Sequence, residues 1–218
     1  MDAQAADAAR RTGHRVEVLD ARSETSQTWA NPDGTRSTSL SAVPVRFRVA
    51  GGAWRDIDLT AVAAASGIAA VSAQRPTVLP VDASGAIGVP SDAGAVLISH
   101  PGAAGAAVLA GSSVTYPHAV QGRDLVEQLL VHGVEETAQL ASVTDGGSYD
   151  TVFTVPTGVT AVNFAGGVAF TDAAGKTVGS FGGGLASDAA HAEAPVTATV
   201  AARPAGTCRF MSGSGRAG

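Results

Sequence analysis

The stretch Pro44-Val45-Arg46-Phe47-Arg48-Val49-Ala50-Gly51-Gly52-Ala53-Trp54-Arg55-Asp56-Ile57-Asp58-Leu59 decides the fold class. Neighbouring side chains on a strand point to opposite faces. Val45, Phe47 and Val49 therefore share one face, and Arg46 and Arg48 the other. Gly51-Gly52 permits a tight reversal. On the return strand Arg55, Ile57 and Leu59 alternate with Trp54, Asp56 and Asp58, which leaves Trp54 on the acidic side unless a glycine bulge shifts the register. Across such a hairpin Arg46 and Arg48 would meet Asp56 and Asp58. As exposed pairs they would contribute about 0–1 kcal/mol each.

Other segments repeat the device. Asn31-Pro32-Asp33-Gly34 places a φ-fixing proline and a glycine able to take positive φ between Thr25–Ala30 and Thr35–Ala42, which predicts a hairpin with one wet face. Val108–Gly111 with Ser113–Tyr116 predicts another, and Asp172-Ala173-Ala174-Gly175 reads as the turn between Val168–Thr171 and Lys176–Phe181. Short strands are expected at His14–Asp20, Thr77–Val81, Ala95–Ser99, Tyr149–Val155 (after Thr144-Asp145-Gly146-Gly147), Val159–Phe164 and Pro195–Ala202. Asp124–His132 is ambiguous: Leu125, Val126, Leu129 and Leu130 have amphipathic helical spacing, yet pairing with Val134–Leu140 across His132-Gly133 is open. Alanine-rich Leu59–Ala73 suits one short helix, Met1–Arg11 suits a short helix or a flexible tail, and Gly182–Glu193 reads as a loop. The expectation is an all-β, antiparallel sandwich of short hairpins with at most one or two short helices. It divides into a flexible N-terminal tail over 1–13, a β-rich domain over 14–202 with a sub-boundary allowed near 60–76, and a disordered C-terminal tail over 203–218.

Composition narrows the function classes. The 218 residues suffice for one large all-β domain or two small ones. Hydrophobic residues reach 45%, but aromatics only 5%, so the core is expected to be thin and poor in large anchors. The net charge of −5 argues against binding nucleic acid by phosphate neutralisation. Cys208 is the single cysteine, which rules out an internal disulfide and zinc ligation by cysteines. No apolar run approaches the roughly 20 residues of a membrane-spanning helix. Met1–Arg11 has no charged-then-apolar signal pattern.

His14, His100, His118, His132 and His191 are scattered, with no i, i+2 or i, i+4 pair spaced for a metal. Asp124 and His118 would share a loop, where a turn-stabilising aspartate is the commoner role. Asp56 and Asp58 lie on one strand face, about 6–7 Å apart by strand geometry. A carboxylate pair there would suit glycoside hydrolysis or calcium, but arginines alongside oppose the raised pKa that a general acid needs. Trp29, Trp54 and Tyr116 would serve as sugar-stacking rings or as core anchors. Gly182-Gly183-Gly184 lacks the Gly-Lys-Ser/Thr ending of a phosphate loop. Ser112, Ser113 and Ser212 stand in no nucleophile elbow, and Cys208 has no positioned partner. No catalytic residue, metal or cofactor is assigned on these grounds; Trp54, Asp56 and Asp58 remain as a candidate ligand platform.

An ordered series of short motifs resembles the N-terminal region of large secreted actinobacterial proteins that carry DNRLRE domains and RHS (YD) repeats further along, some ending in polymorphic-toxin domains. The series is Glu24-Thr25-Ser26 with Asn31-Pro32-Asp33-Gly34-Thr35, then Pro44-Val45-Arg46-Phe47-Arg48 with Trp54-Arg55-Asp56-Ile57-Asp58. It continues with Tyr116-Pro117, Val120, Gly122, Asp124 and Leu125, then His132-Gly133-Val134-Glu135, then Asp172–Val178. It spans residues 14 to 200, and favours strand over helix at Asp124–His132. Val134 stands where the family has phenylalanine. The chain also departs in its first residues, which lack a signal peptide, and in its end at Cys208–Gly218, so a truncated copy is expected. The resemblance implies a non-enzymatic structural or adhesive β-module of a secreted or cell-surface bacterial protein. Its partners would be the downstream domains of a longer parent and cell-wall glycan, not nucleic acid or membrane. The alternative is a carbohydrate-binding module or degenerate glycosidase using Trp54, Asp56 and Asp58.

Overall fold

The computed structural model describes residues 2–140, 149–187, 193–202 and 207–214. The Thr144–Gly147 turn and His191 lie outside them. The chain forms two compact units, Met1–Asp58 with Val71–Gln74, and Leu59–Ala70 with Arg75–Gly218. The fold is all-β and antiparallel, built from short hairpins, with one α-helix among the described residues.

The first unit begins with α1 (Asp2–Thr12), so the helical option for the N-terminus is the one realised over these residues rather than a flexible tail. Alanine has the highest helix propensity, and Ala5 and Ala9 bury one stripe against Val18 and Ala30. Gly13, at φ 68°, ends the helix and donates its N–H to the Ala9 carbonyl. β1 (Val16–Glu17), β2 (Ser26–Ala30) and β3 (Arg36–Leu40) form a three-stranded sheet in that order. The predicted Asn-Pro-Asp-Gly turn joins β2 to β3, with Asp33 accepting from the Thr35 N–H. β4 (Arg46–Arg48) pairs with β5 (Trp54–Asp56) in the register Arg46↔Asp56, Phe47↔Arg55 and Arg48↔Trp54.

β6 (Asp58–Ala64) and β7 (Gly67–Ser72) form a hairpin where a helix was expected over Leu59–Ala73. Alanine's helix preference is weak beside tertiary pairing. Gly67 brings its backbone against Leu79, and Ile68 and Leu79 exchange both backbone hydrogen bonds at 2.8 Å. A methyl group on Gly67, whose φ is +142°, would lie 2.3 Å from the Leu79 carbonyl oxygen. Only glycine fits that approach.

The remaining strands of the second unit are β8 (Ile87–Ser91), β9 (Gly94–Ser99), β10 (Val108–Ala110), β11 (Ser113–Val120), β12 (Arg123–Leu130), β13 (Gly133–Gln139), β14 (Asp150–Thr154), β15 (Thr160–Phe164), β16 (Gly167–Thr171), β17 (Thr177–Phe181), β18 (Gly184–Ser187), β19 (Glu193–Ala202) and β20 (Thr207–Ser214). They form a four-stranded meander β10-β11-β12-β13, a six-stranded sheet β18-β19-β20-β14-β9-β8 and a three-stranded sheet β15-β16-β17. One core draws on all three: Val114, Tyr116, Leu125 and Leu129 from the meander, Ile87, Val96, Ile98 and Phe153 from the larger sheet, Val168 and Phe170 from the smaller. Phe153 meets Phe170 and Phe181 edge to face, at 5.3 and 5.1 Å between ring centres.

Two expectations at the C-terminal end are corrected. β18 occupies part of the segment read as a loop, and Thr207–Ser214 is a strand between β19 and β14 rather than a tail. Thr207–Ser214 carries little hydrophobic alternation beyond Cys208 and Phe210, and its partner β14 lies more than fifty residues earlier.

We expect Gly67→Ala to destabilise the second unit by about 3 kcal/mol, from backbone strain plus overpacking. Urea unfolding followed by near-ultraviolet circular dichroism of Tyr116 and Tyr149, the chain's two tyrosines, reads that unit. An unchanged midpoint would show that the strand can move away from Leu79.

Candidate functional site

The hairpin that carries Trp54, Asp56 and Asp58 is an ion-pair framework in the first unit. Arg46, expected on a solvent face, is 1% exposed. Its Nη1 donates to Glu17 Oε1 at 3.1 Å, and its Nε lies 3.3 Å from Asp56 Oδ1 without an aligned hydrogen bond. Arg22 grips the same Glu17 with two N–H groups, at 2.9 and 2.6 Å. The Arg22 hydrogen bonds, reinforced by Arg46, hold the Glu17 carboxyl below its ordinary range against the opposing effect of burial. Arg46 thus does meet Asp56 as the ladder predicted, whereas Arg48 lies opposite Trp54 and stacks on its ring at 4.2 Å. Trp29 is likewise covered by Arg15, at 4.4 Å. Trp54 is half-buried under its arginine, Asp56 points out with its side chain 75% exposed, and Asp58 opens the next strand.

Two other expected residues lie in a turn of the second unit. His118 donates its backbone N–H to Asp124 Oδ1 at 2.7 Å, so Asp124 braces the β11–β12 turn. Gln121 and Gly122 take positive φ at its tip, as a two-residue hairpin turn requires.

A different group of residues forms the most chemically loaded cluster. Along β12 the inward positions are Arg123, Leu125, Glu127 and Leu129, all buried. β13 turns Val134, Glu136 and Ala138 the same way, and the register sets Glu127 directly opposite Glu136. His100 follows β9, Tyr149 precedes β14 and Thr151 belongs to β14, so both glutamates face groups from the six-stranded sheet. His100 Nε2 lies 2.9 Å from Glu136 Oε2, with the two side chains 4% and 7% exposed. That contact is close but off the N–H axis. The Tyr149 hydroxyl donates to Glu136 Oε1 at 2.5 Å, and Thr151 Oγ1 lies 3.3 Å from His100 Nδ1. The Tyr149 ring packs at a tilt on His100, with the Arg123 guanidinium 5.9 Å from the ring centre.

Glu127 has no exposure, and neither of its oxygens has an aligned donor. Burial, then the charge and contact of Glu136, push its carboxyl well above the ordinary range. Burial alone would raise Glu136 as well, but His100, Tyr149 and a proton on Glu127 together bring it below. Two carboxyls this close titrate as a pair, with burial and the neighbouring charge pushing Glu127 upward. Burial and the Glu136 charge raise the Tyr149 phenol, which keeps it a donor.

One side of the cluster opens on a cleft of about 700 Å³ lined by Arg123, Glu136 and Tyr149 among apolar residues such as Leu130, Phe181 and Leu185. Glu127 and His100 do not line it. Glu135, Glu136 and the Tyr149 phenol face the cleft, while the Glu127 carboxyl is sealed behind them.

The sequence reading missed this cluster because its members are far apart in the chain. The available signal was Arg123 and Glu127 alternating with Leu125 and Leu129, which becomes readable once β12 is taken as a strand. A scan against protein-family models finds no match, and searches of curated proteins and of solved structures find none.

Glu17 gives a pH prediction with a defined sign. Its pKa is lower folded than unfolded, so its stabilisation is present above the unfolded value near 4.5 and is lost as pH falls through the folded value. Glu17→Gln should cost about 3 kcal/mol at pH 7, by leaving buried Arg46 short of a partner, and should flatten the loss of stability below pH 4.5. Tryptophan fluorescence checks this, because Trp29 and Trp54, the chain's two tryptophans, both lie in the first unit.

Proposed function

We propose that this chain is a non-enzymatic structural or adhesive β-module of a large secreted or cell-surface bacterial protein, working beside the downstream domains of a longer parent. The observation that carries the reading is the internal engagement of the groups that invited a catalytic one. Arg48 stacks on Trp54, and Asp56 lies against the buried Arg46. In the second unit the cleft meets Glu135 and Glu136 but not Glu127, and the first two are consecutive residues of β13 whose side chains leave the strand on opposite faces. General acid–base work on a glycosidic bond needs two carboxyl groups flanking that bond. The resemblance of the ordered motifs to the region preceding DNRLRE and RHS repeats supports the same reading.

A carbohydrate-binding module or degenerate glycosidase is the second reading. It draws on the exposure of Asp56 near the half-buried Trp54, with Asp58 following in the chain. A glycan array that includes cell-wall polymers, with a hydrolase screen on wild type and Trp54→Ala, separates the two. The module reading expects no turnover and no glycan binding that depends on Trp54. Saturable binding or hydrolysis abolished by Trp54→Ala would favour the second.

A further inference from the structure

The cluster inside the second unit has the makings of a metal site. One donor atom each from His100, Glu127 and Glu136 lies within 4.8 Å of the others. Two features set it apart from an ordinary buried ion pair. Glu127 is fully buried, yet neither of its oxygens receives a hydrogen bond from a donor group, and the contact that shifts it is the second carboxyl, Glu136. His100 Nε2 approaches Glu136 at 2.9 Å without directing its N–H at the oxygen. The donors thus converge on a common point more than they satisfy one another.

The surrounding groups match what metal ligands need. A ligating histidine is usually oriented through its other ring nitrogen, and ligating carboxylates are themselves hydrogen-bonded. Thr151 Oγ1 lies against His100 Nδ1, which leaves Nε2 for the metal, and Tyr149 donates to the second oxygen of Glu136. We infer that His100, Glu127 and Glu136 form a three-ligand site for a divalent transition cation of the zinc type, with a water completing the tetrahedron. An imidazole with two carboxylates suits such an ion and balances its charge. A tetrahedral zinc with donors at about 2.0–2.2 Å sets donor separations of roughly 3.3–3.6 Å. The ion would tie the β12–β13 hairpin to the His100 end of β9, stapling two sheets of a core that has few large side chains.

The test uses the full chain, stripped with chelator, dialysed and titrated calorimetrically with zinc chloride alone. The expected result is saturable binding of one zinc per chain with a rise in melting temperature. Glu127→Gln and His100→Ala should each weaken it by more than about 100-fold, and Thr151→Val by about 10–100-fold. Glu127→Gln is nearly isosteric and is expected to keep the fold, verified by circular dichroism. No saturable binding to the wild type would overturn the inference. So would binding retained in both ligand variants, which would place the zinc on surface histidines. Anomalous scattering at the zinc edge from wild-type crystals gives an answer free of the variants: a peak among the three residues supports the site, and a peak only elsewhere contradicts it.

Discussion

The pairing of β12 with β13 places two glutamates opposite each other on the inner face of the second unit. Like charges so placed repel, and burial multiplies the cost. The surrounding chain answers with His100, Tyr149 and Thr151 from the six-stranded sheet, and with Arg123 two residue pairs along the same strand face. The register cannot slip by one residue without turning Leu125 and Leu129 to solvent as well. The polar cluster and the apolar core are therefore fixed by the same strand, and neither can be rearranged alone.

The first unit follows a similar plan with a different charge. Arg46 is buried between Glu17 and Asp56, and Arg22 completes the group. Breaking such a group costs more than making it contributes, since a stranded buried ion has nowhere to go. Both units belong to a chain with few aromatic side chains and much alanine, in which buried polar groups occupy positions that larger apolar residues would fill elsewhere.

How far these features were legible depends on how local their causes are. The turns at Asn31–Gly34 and Asp172–Gly175 were readable, because proline, aspartate and glycine act on their own backbone. The strand character of Arg123–Leu130 was left open by periodicity, and the motif resemblance favoured it. With Arg123 and Glu127 inward, the remaining apolar residues Leu125, Val126, Leu129 and Leu130 imitate a helix face. The β6–β7 hairpin was missed because alanine's local preference gave way to the Ile68–Leu79 approach. In the candidate platform, the Arg46–Asp56 contact was foreseen, but the burial of Arg46 depends on Glu17, twenty-nine residues away. The His100–Glu127–Glu136 cluster joins the β12–β13 hairpin to the residue that follows β9, and no spacing rule reaches between them.

The central claim is that the register pairs two buried carboxyls, Glu127 and Glu136, so closely that burial and the neighbouring charge push Glu127 above its ordinary range in the metal-free protein. Carbon-13 NMR of the glutamate side-chain carboxyls, titrated in metal-free protein, measures this directly. The expected result is one carboxyl signal that stays protonated well above the ordinary glutamate range and vanishes in Glu127→Gln. A set of glutamate signals that all titrate between about pH 4 and 5, with none held protonated at neutral pH, would contradict it.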